Sequence, residues 1–211
     1  MYLLTVADFS TVPFPIPAEE FVVAGYYAEG DGGGGTFVWV PQAIQNGDDG
    51  IVFLHPNDTH PNGPGGSGYF QRQYSGPINV RWFGAIKDAT DPNPPSGYPN
   101  AIFDVTPYVH RARDSRHFAN NGTLYFPKGI YPGAFEFCSV GNSGSLVNEI
   151  SIIGDGQGSV LTSNGEGFKD NPPFVTLNPI VKLGFRHPHW NMAKFSDLTI
   201  DGNYNGNRHV N

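Results

Sequence analysis

Gly122-Thr-Leu-Tyr-Phe-Pro-Lys-Gly-Ile-Tyr131 is the stretch that decides how the chain folds. Thr123 to Phe126 is a short run rich in β-formers, and Pro127 closes it because proline has no N–H to give a continuing ladder. A second strand can open at Ile130. Strand, Pro-Lys-Gly corner, strand is the unit of a solenoid, in which each coil turns sharply and lays its next strand beside the equivalent strand of the neighbouring coil. The theme returns in Glu149-Ile-Ser-Ile-Ile-Gly-Asp-Gly156 and in Ser196-Asp-Leu-Thr-Ile-Asp-Gly-Asn203, each an alternating apolar run followed by an Asp-Gly corner. These two are offset by 47 residues, and Leu124 to Ile150 is a step of 26. With coils of roughly 20 to 29 residues, the larger offset spans two coils and the smaller one, and Phe174-Val-Thr-Leu177 opens the coil between.

Composition agrees with this reading. The 211 residues suffice for one large domain or two small ones with a real core. With 28 glycines, 19 prolines, 14% aromatic and 15% charged residues, short strands and tight turns are favoured over helices, so the class is all-β. A net charge of −7 and a pI near 5.3 argue against a nucleic-acid backbone or an anionic membrane surface as the main partner. The single Cys138 excludes an intrachain disulfide and reads as a small buried residue. Met1 to Asp8 lacks a basic lead and a long apolar run, so no signal peptide is expected, and no stretch approaches the roughly 20 apolar residues of a membrane span.

Taken in order, residues 1–20 read as an extended strap, with Val12-Pro-Phe-Pro-Ile-Pro17 in a polyproline-like conformation. Residues 21–85 read as a β-meander. Phe21–Tyr27 and Thr36–Val40 flank the turn Ala28-Glu-Gly-Asp-Gly-Gly-Gly-Gly35, and Ile51–Leu54, Tyr69–Tyr74 and Ile78–Ala85 follow as further strands. The four glycines could cradle a phosphate, but neither a helical pattern nor Lys-Ser/Thr follows them, which favours a hairpin or bulged turn. Residues 86–118 are a polar, Pro-rich loop and one helix. Thr106-Pro107 gives an N-cap and a first-turn proline, and Val105, Tyr108, Val109 and Ala112 make one apolar face. Arg111, Arg113, Arg116 and His117 suit the C-terminal end of the helix dipole. The helix reads as a cap over the end of the solenoid, with an anion-binding face as the other reading. Residues 119–211 are the solenoid itself.

These pieces, in this order, resemble the N-terminal part of the pectate-lyase-like proteins found as bacteriophage tailspikes and related secreted enzymes. The residues that carry the resemblance are Val23 to Trp39 with its glycine run, Val80-Arg-Trp-Phe-Gly-Ala85, the helix, Gly122 to Tyr131, Ile152-Ile-Gly-Asp-Gly156 and Leu198-Thr-Ile-Asp-Gly-Asn203. The resemblance implies a right-handed parallel β-helix, of which this chain holds the first coils, preceded by the meander and the capping α-helix. It further implies a homotrimer that binds and often cleaves bacterial surface polysaccharide, attached to other phage tail proteins, located on the virion tail and acting outside the cell. The chain departs from the family's usual lead into the helix, where Lys87-Asp-Ala-Thr-Asp-Pro-Asn-Pro-Pro95 carries a long insertion. A β-helix ending in mid-coil at Asn211 would leave unpaired edges, so a continuation or a capping partner is expected.

Chemistry-bearing residues are few. His187-Pro-His189-Trp190 places two histidines at i, i+2, where on a strand they share a side, with a tryptophan able to stack on a sugar ring. No third ligand at a sensible spacing accompanies them, so no metal site is expected. His187, His189 and Trp190 are the carbohydrate-binding candidates, and a plain coil corner is the alternative. Asp155, Asp197 and Asp201 lie in or beside strands. Paired carboxylates can serve as acid and base in glycoside hydrolysis. In a lyase they would hold Ca²⁺ while a base such as Arg186 removes a proton. Asp197, Asp201 and Arg186 are therefore the catalytic candidates, although Asp155 and Asp201 precede glycines and read first as turn residues. No cofactor is expected beyond Ca²⁺ in the lyase case. Three functions follow: a tailspike presenting a β-helix to polysaccharide, a polysaccharide lyase or glycoside hydrolase whose active site lies mostly outside these residues or between subunits, and a structural virion protein that docks another tail component.

Overall fold

The computed structural model describes residues 1–13, 16, 19–42, 44, 46–55, 68–86, 104–115, 122–133, 135–137, 149–162, 181–182 and 192–201. The chain divides into two units, Met1–Ile86 and Lys87–Asn211.

The first unit is a five-stranded sheet built from β1 (Tyr2–Thr5), β2 (Glu20–Gly25), β3 (Gly35–Val40), β4 (Val52–Leu54) and β5 (Tyr69–Gln73), in the order β1-β2-β3-β5-β4. β1 runs parallel to β2, and the other pairings are antiparallel. Alternation sends Phe21, Val23, Phe37 and Phe70 to one buried face. Phe9 closes that face, stacked on Phe70 at 4.2 Å and edge-on to Phe37 at 5.0 Å.

Three expectations change here. Residues 1–20 are not only a strap: Tyr2–Thr5 joins the sheet, and the 3-10 turn Val6–Thr11 delivers Phe9 to the core. The meander is not sequential, because β5 inserts between β3 and β4. Ile78–Ala85 is not one strand. Only Ile78–Asn79 (β6) is extended, and Val80–Phe83 is a 3-10 turn that Gly84 ends in the left-handed region at φ 93°. Burial of Val80 and Phe83 three residues apart explains the preference, since a strand would have sent them to opposite faces.

The second unit carries one helix and stacked parallel strands. The helix α1 (Thr106–Asp114) buries Val109 and Ala112, with Val105 buried just ahead of it. Val105, not Thr106, is the N-cap, and the Asp104 carboxylate accepts the Thr106 N–H at 2.9 Å. Arg113, one of the basic residues at the C-terminal end of the helix, is buried and donates to Asp114 at 2.7 Å.

The strands are β7 (Thr123–Phe126), β8 (Gly129–Pro132), β9 (Phe135–Glu136), β10 (Glu149–Gly154), β11 (Ser159–Thr162), β12 (Val181–Lys182), β13 (Met192–Ser196) and β14 (Thr199–Asp201). They form three parallel ladders, β7-β10-β13, β8-β11-β14 and β9-β12, which the chain visits in the same order on each pass. Leu124 stands beside Ile152, 28 residues on, and Ile152 beside Phe195, 43 residues on. The α1 side of this unit meets the first pass, where the Val105 N–H donates to Pro132 O at 2.9 Å.

The repeat therefore differs from the one read in the sequence. β10 pairs directly with β13, so the larger offset is one coil and not two. The extra length lies between β11 and β13, and Phe174–Leu177, within it, falls outside the described residues. The run Leu198-Thr-Ile-Asp201 matches β11 through Thr199, whereas Ser196 sits beside Ile153. Two similar apolar runs invited a false alignment because every strand facing a core shows the same period of two. Leu124, Phe126, Ile152 and Leu161 are fully buried between the ladders.

Candidate functional site

The outward side of the first ladder and the corner that follows it form the candidate surface. Since Leu124, Phe126 and Ile152 point inward, Thr123, Tyr125, Ser151 and Ile153 point outward, with Lys194 and Ser196 beside them on β13. In-register rows thus run Thr123–Ser151–Lys194 and Tyr125–Ile153–Ser196. This is a shallow strip bearing hydroxyls, one phenol and one exposed cation. A repeating polar chain can lie along such a strip.

The corner is stitched between passes. The Tyr125 hydroxyl donates to both Asp155 carboxylate oxygens at 2.8 and 2.9 Å, and the Lys128 N–H donates to the same group at 2.9 Å. The Asp155 N–H donates to Ser159 Oγ at 2.7 Å, and the Ser159 hydroxyl donates to Phe126 O at 2.8 Å. The Pro-Lys-Gly corner of one pass is therefore roofed by the Asp-Gly corner of the next. A Cβ on Gly154 would lie 2.5 Å from Asp197 O, so the third pass can close down only over a glycine. Asp155 spends its carboxylate on turn geometry.

Asp197 is exposed and holds a left-handed backbone at φ 56°, an uncommon state for a residue with a side chain. Asp201 is exposed at the end of β14, beside Thr162. Arg186, His187, His189 and Trp190 lie outside the described residues. Among the described residues no group of three or more His, Cys, Asp or Glu side chains could hold a metal ion. Among them, too, no helix is long and apolar enough to cross a membrane.

The glycine run in the first unit serves a different purpose from phosphate binding. An anion cradle offers N–H groups, but here the Asp31 carboxylate takes the N–H groups of Tyr26, Tyr27, Ala28 and Gly33. The carbonyls of Gly33 and Gly34 accept from Arg72 at 2.8 and 2.6 Å, and Gly50 O accepts from its Nε at 2.8 Å. The guanidinium lies between the rings of Phe37 (4.5 Å) and Trp82 (4.9 Å). Burial pushes its pKa down to about 9, against the opposing pull of Asp48. Sequence reading passed over Arg72, and its only signal was an arginine alternating into the buried face of β5.

Comparison with known proteins follows the division into units. Residues 3–75 match the family model of the phage tail protein small four-stranded β-sheet domain. That range covers the four antiparallel strands β2, β3, β5 and β4 together with most of β1. None of the curated proteins compared matches the chain. Among solved structures, Pantoea stewartii WceF, described as a glycan biofilm modifying enzyme with a bacteriophage tailspike-like parallel β-helix fold, is 17% identical with a TM-score of 0.59. The match covers 96% of this chain and 25% of that one. The enzymatically active domain of bacteriophage CBA120 tailspike protein 2 is 17% identical with a TM-score of 0.50, over 77% of this chain and 19% of that one. The chain thus spans about a quarter or less of the length of these structures. It shares a mostly β fold with parallel sheets with tailspike-type proteins.

Proposed function

We propose that the chain is part of a bacteriophage tailspike or related tail appendage. In this reading the first unit attaches to the tail, and the second opens a right-handed parallel β-helix that presents a rigid face to bacterial surface polysaccharide. The observation that carries it is the in-register parallel ladder Leu124–Ile152–Phe195 in a chain whose first unit matches a phage tail sheet domain. Stacked strands repeat every 4.7–4.9 Å or so, which gives a fixed comb of polar groups against which a repeating glycan can register. The assembly is a homotrimer located on the virion tail and acting outside the cell.

Cleavage, if the whole protein performs it, draws on residues beyond this surface or on a neighbouring subunit, with Asp197, Asp201 and Arg186 as the contributions from this chain. His187, His189 and Trp190 would add sugar contacts, and Ca²⁺ enters only for a lyase. The test is incubation of the protein with capsule and lipopolysaccharide from candidate hosts, following retention on the glycan, reducing-end release and the ultraviolet absorbance of unsaturated products. Retention without product supports recognition alone, and product supports the enzyme. Failure of both, with attachment to tails intact, would leave only a structural tail role.

A further inference from the structure

The outer face of β1 and β2 carries exposed apolar side chains. A sheet with one buried face normally turns polar residues to water, and β5 does so with Gln71 and Gln73. On β1 and β2 the outward positions include Tyr2, Leu4 and Val22, exposed by 58, 57 and 41%, with Glu20 and Ala24 flanking Val22 on the same side of β2. Tyr2 stands beside Val22 in the parallel register, and Leu4 lies two residues on, so the three form one patch. It continues toward Val38, which stands opposite Glu20.

Acidic groups border this patch. Glu20 is exposed at its edge, Glu29 accepts the Tyr2 hydroxyl at 3.0 Å, and Asp8 accepts the Leu4 N–H at 3.1 Å. The whole first unit is lopsided in the same sense. Its 86 residues hold eight Asp and Glu against two Arg, a net −6 of the chain's −7. Of the two arginines, Arg72 is buried, and Arg81 donates to Asp31 O at 3.4 Å.

From the apolar centre and acidic rim together we infer that this face docks a protein partner bearing apolar residues inside a basic rim. Resting on the tail reading above, that partner is a component of the virion tail. A second copy meeting this face with its own equivalent face is the wrong match, because that sets like charges against each other. Anionic membrane surfaces are repelled for the same reason. Exposed aliphatic side chains of the size of Leu4 and Val22 mark protein contact surfaces when they cluster.

The experiment uses the full chain and tail particles assembled without it, with attachment followed by co-sedimentation at low and high salt. Wild type is expected to attach, with binding weakened as salt rises. Tyr2→Ser/Leu4→Ser/Val22→Thr is expected to lose at least about tenfold in affinity, and Glu20→Lys/Glu29→Lys to lose both affinity and salt dependence. Val22→Thr alone, a mild change, guards against misfolding and should show a smaller loss in the same direction. Wild-type attachment with unchanged binding of all three variants overturns the inference and leaves the tail reading standing. Absence of wild-type attachment overturns both. If sedimentation of the chain alone shows an oligomer that the triple variant dissolves, the occupant is a second copy and the inference fails.

Discussion

Ser159→Ala removes the smallest group that ties one pass of the chain to the next. Ser159 is fully buried, and its Oγ is both the acceptor for the Asp155 N–H and the donor to Phe126 O. Alanine fits the space, so no clash or large cavity contributes. What is lost is the hydroxyl's hydrogen bond to each of two backbone groups. A buried group left unsatisfied costs about 1–3 kcal/mol. The bond to Phe126 O is buried and carries the larger cost, whereas the Asp155 N–H bond is only part-buried. The sum is about 2–3 kcal/mol. For a chain of this size that lowers Tm by about 5–10 °C. Thermal denaturation followed by far-UV circular dichroism measures the shift, and amide exchange at Asp155 should accelerate at the same time. Gln157→Ala, at an exposed position of the same corner, is the control and should stay within about 0.5 kcal/mol of wild type. A Ser159→Ala protein that melts with wild type and protects the Asp155 amide equally would refute the stitched corner.

Other outcomes follow from the same geometry. Arg72→Met leaves the carbonyls of Gly33, Gly34 and Gly50 without their donor and should cost about 3 kcal/mol or more; urea unfolding checks this, and a neutral result would mean that water replaces the cation. Gly34→Ala places a Cβ 2.3 Å from Val23 O, a backbone clash that should cost about 1–3 kcal/mol, again by urea unfolding. Ile152→Ser should destabilise by about 3 kcal/mol or more, whereas Ile200→Ser, at a site 48% exposed, should cost under about 1 kcal/mol; equal effects would contradict the assigned core.

Sequence alone carried the strand, corner, strand unit, since Pro127 and the Asp155-Gly156 pair announce turns through local chemistry. It also carried the helix start, because Pro107 and the Val105, Val109, Ala112 spacing are local features. Register did not come through. Ile152 pairs with Phe195 because of which coil folds above which, and a long insertion between β11 and β13 disguised a single coil as two. The insertion of β5 between β3 and β4 was hidden for a similar reason, as hairpin order is set by packing across the core around Phe9. At the candidate surface, the carboxylates were visible as residue types, but the use of Asp155 as a cap for the preceding corner required Tyr125 and Lys128 to be brought beneath it. Arg72 was opaque because a buried cation held by carbonyls leaves no motif.

Backbone nuclear Overhauser contacts from Ile152 test the stacking most directly. The account predicts that Ile152 shows interstrand contacts with Leu124 on one side and Phe195 on the other, both in the parallel pattern. Contacts to Leu198 in place of Phe195, or an antiparallel pattern on either side, would contradict it and remove the rigid face on which the proposed glycan recognition rests.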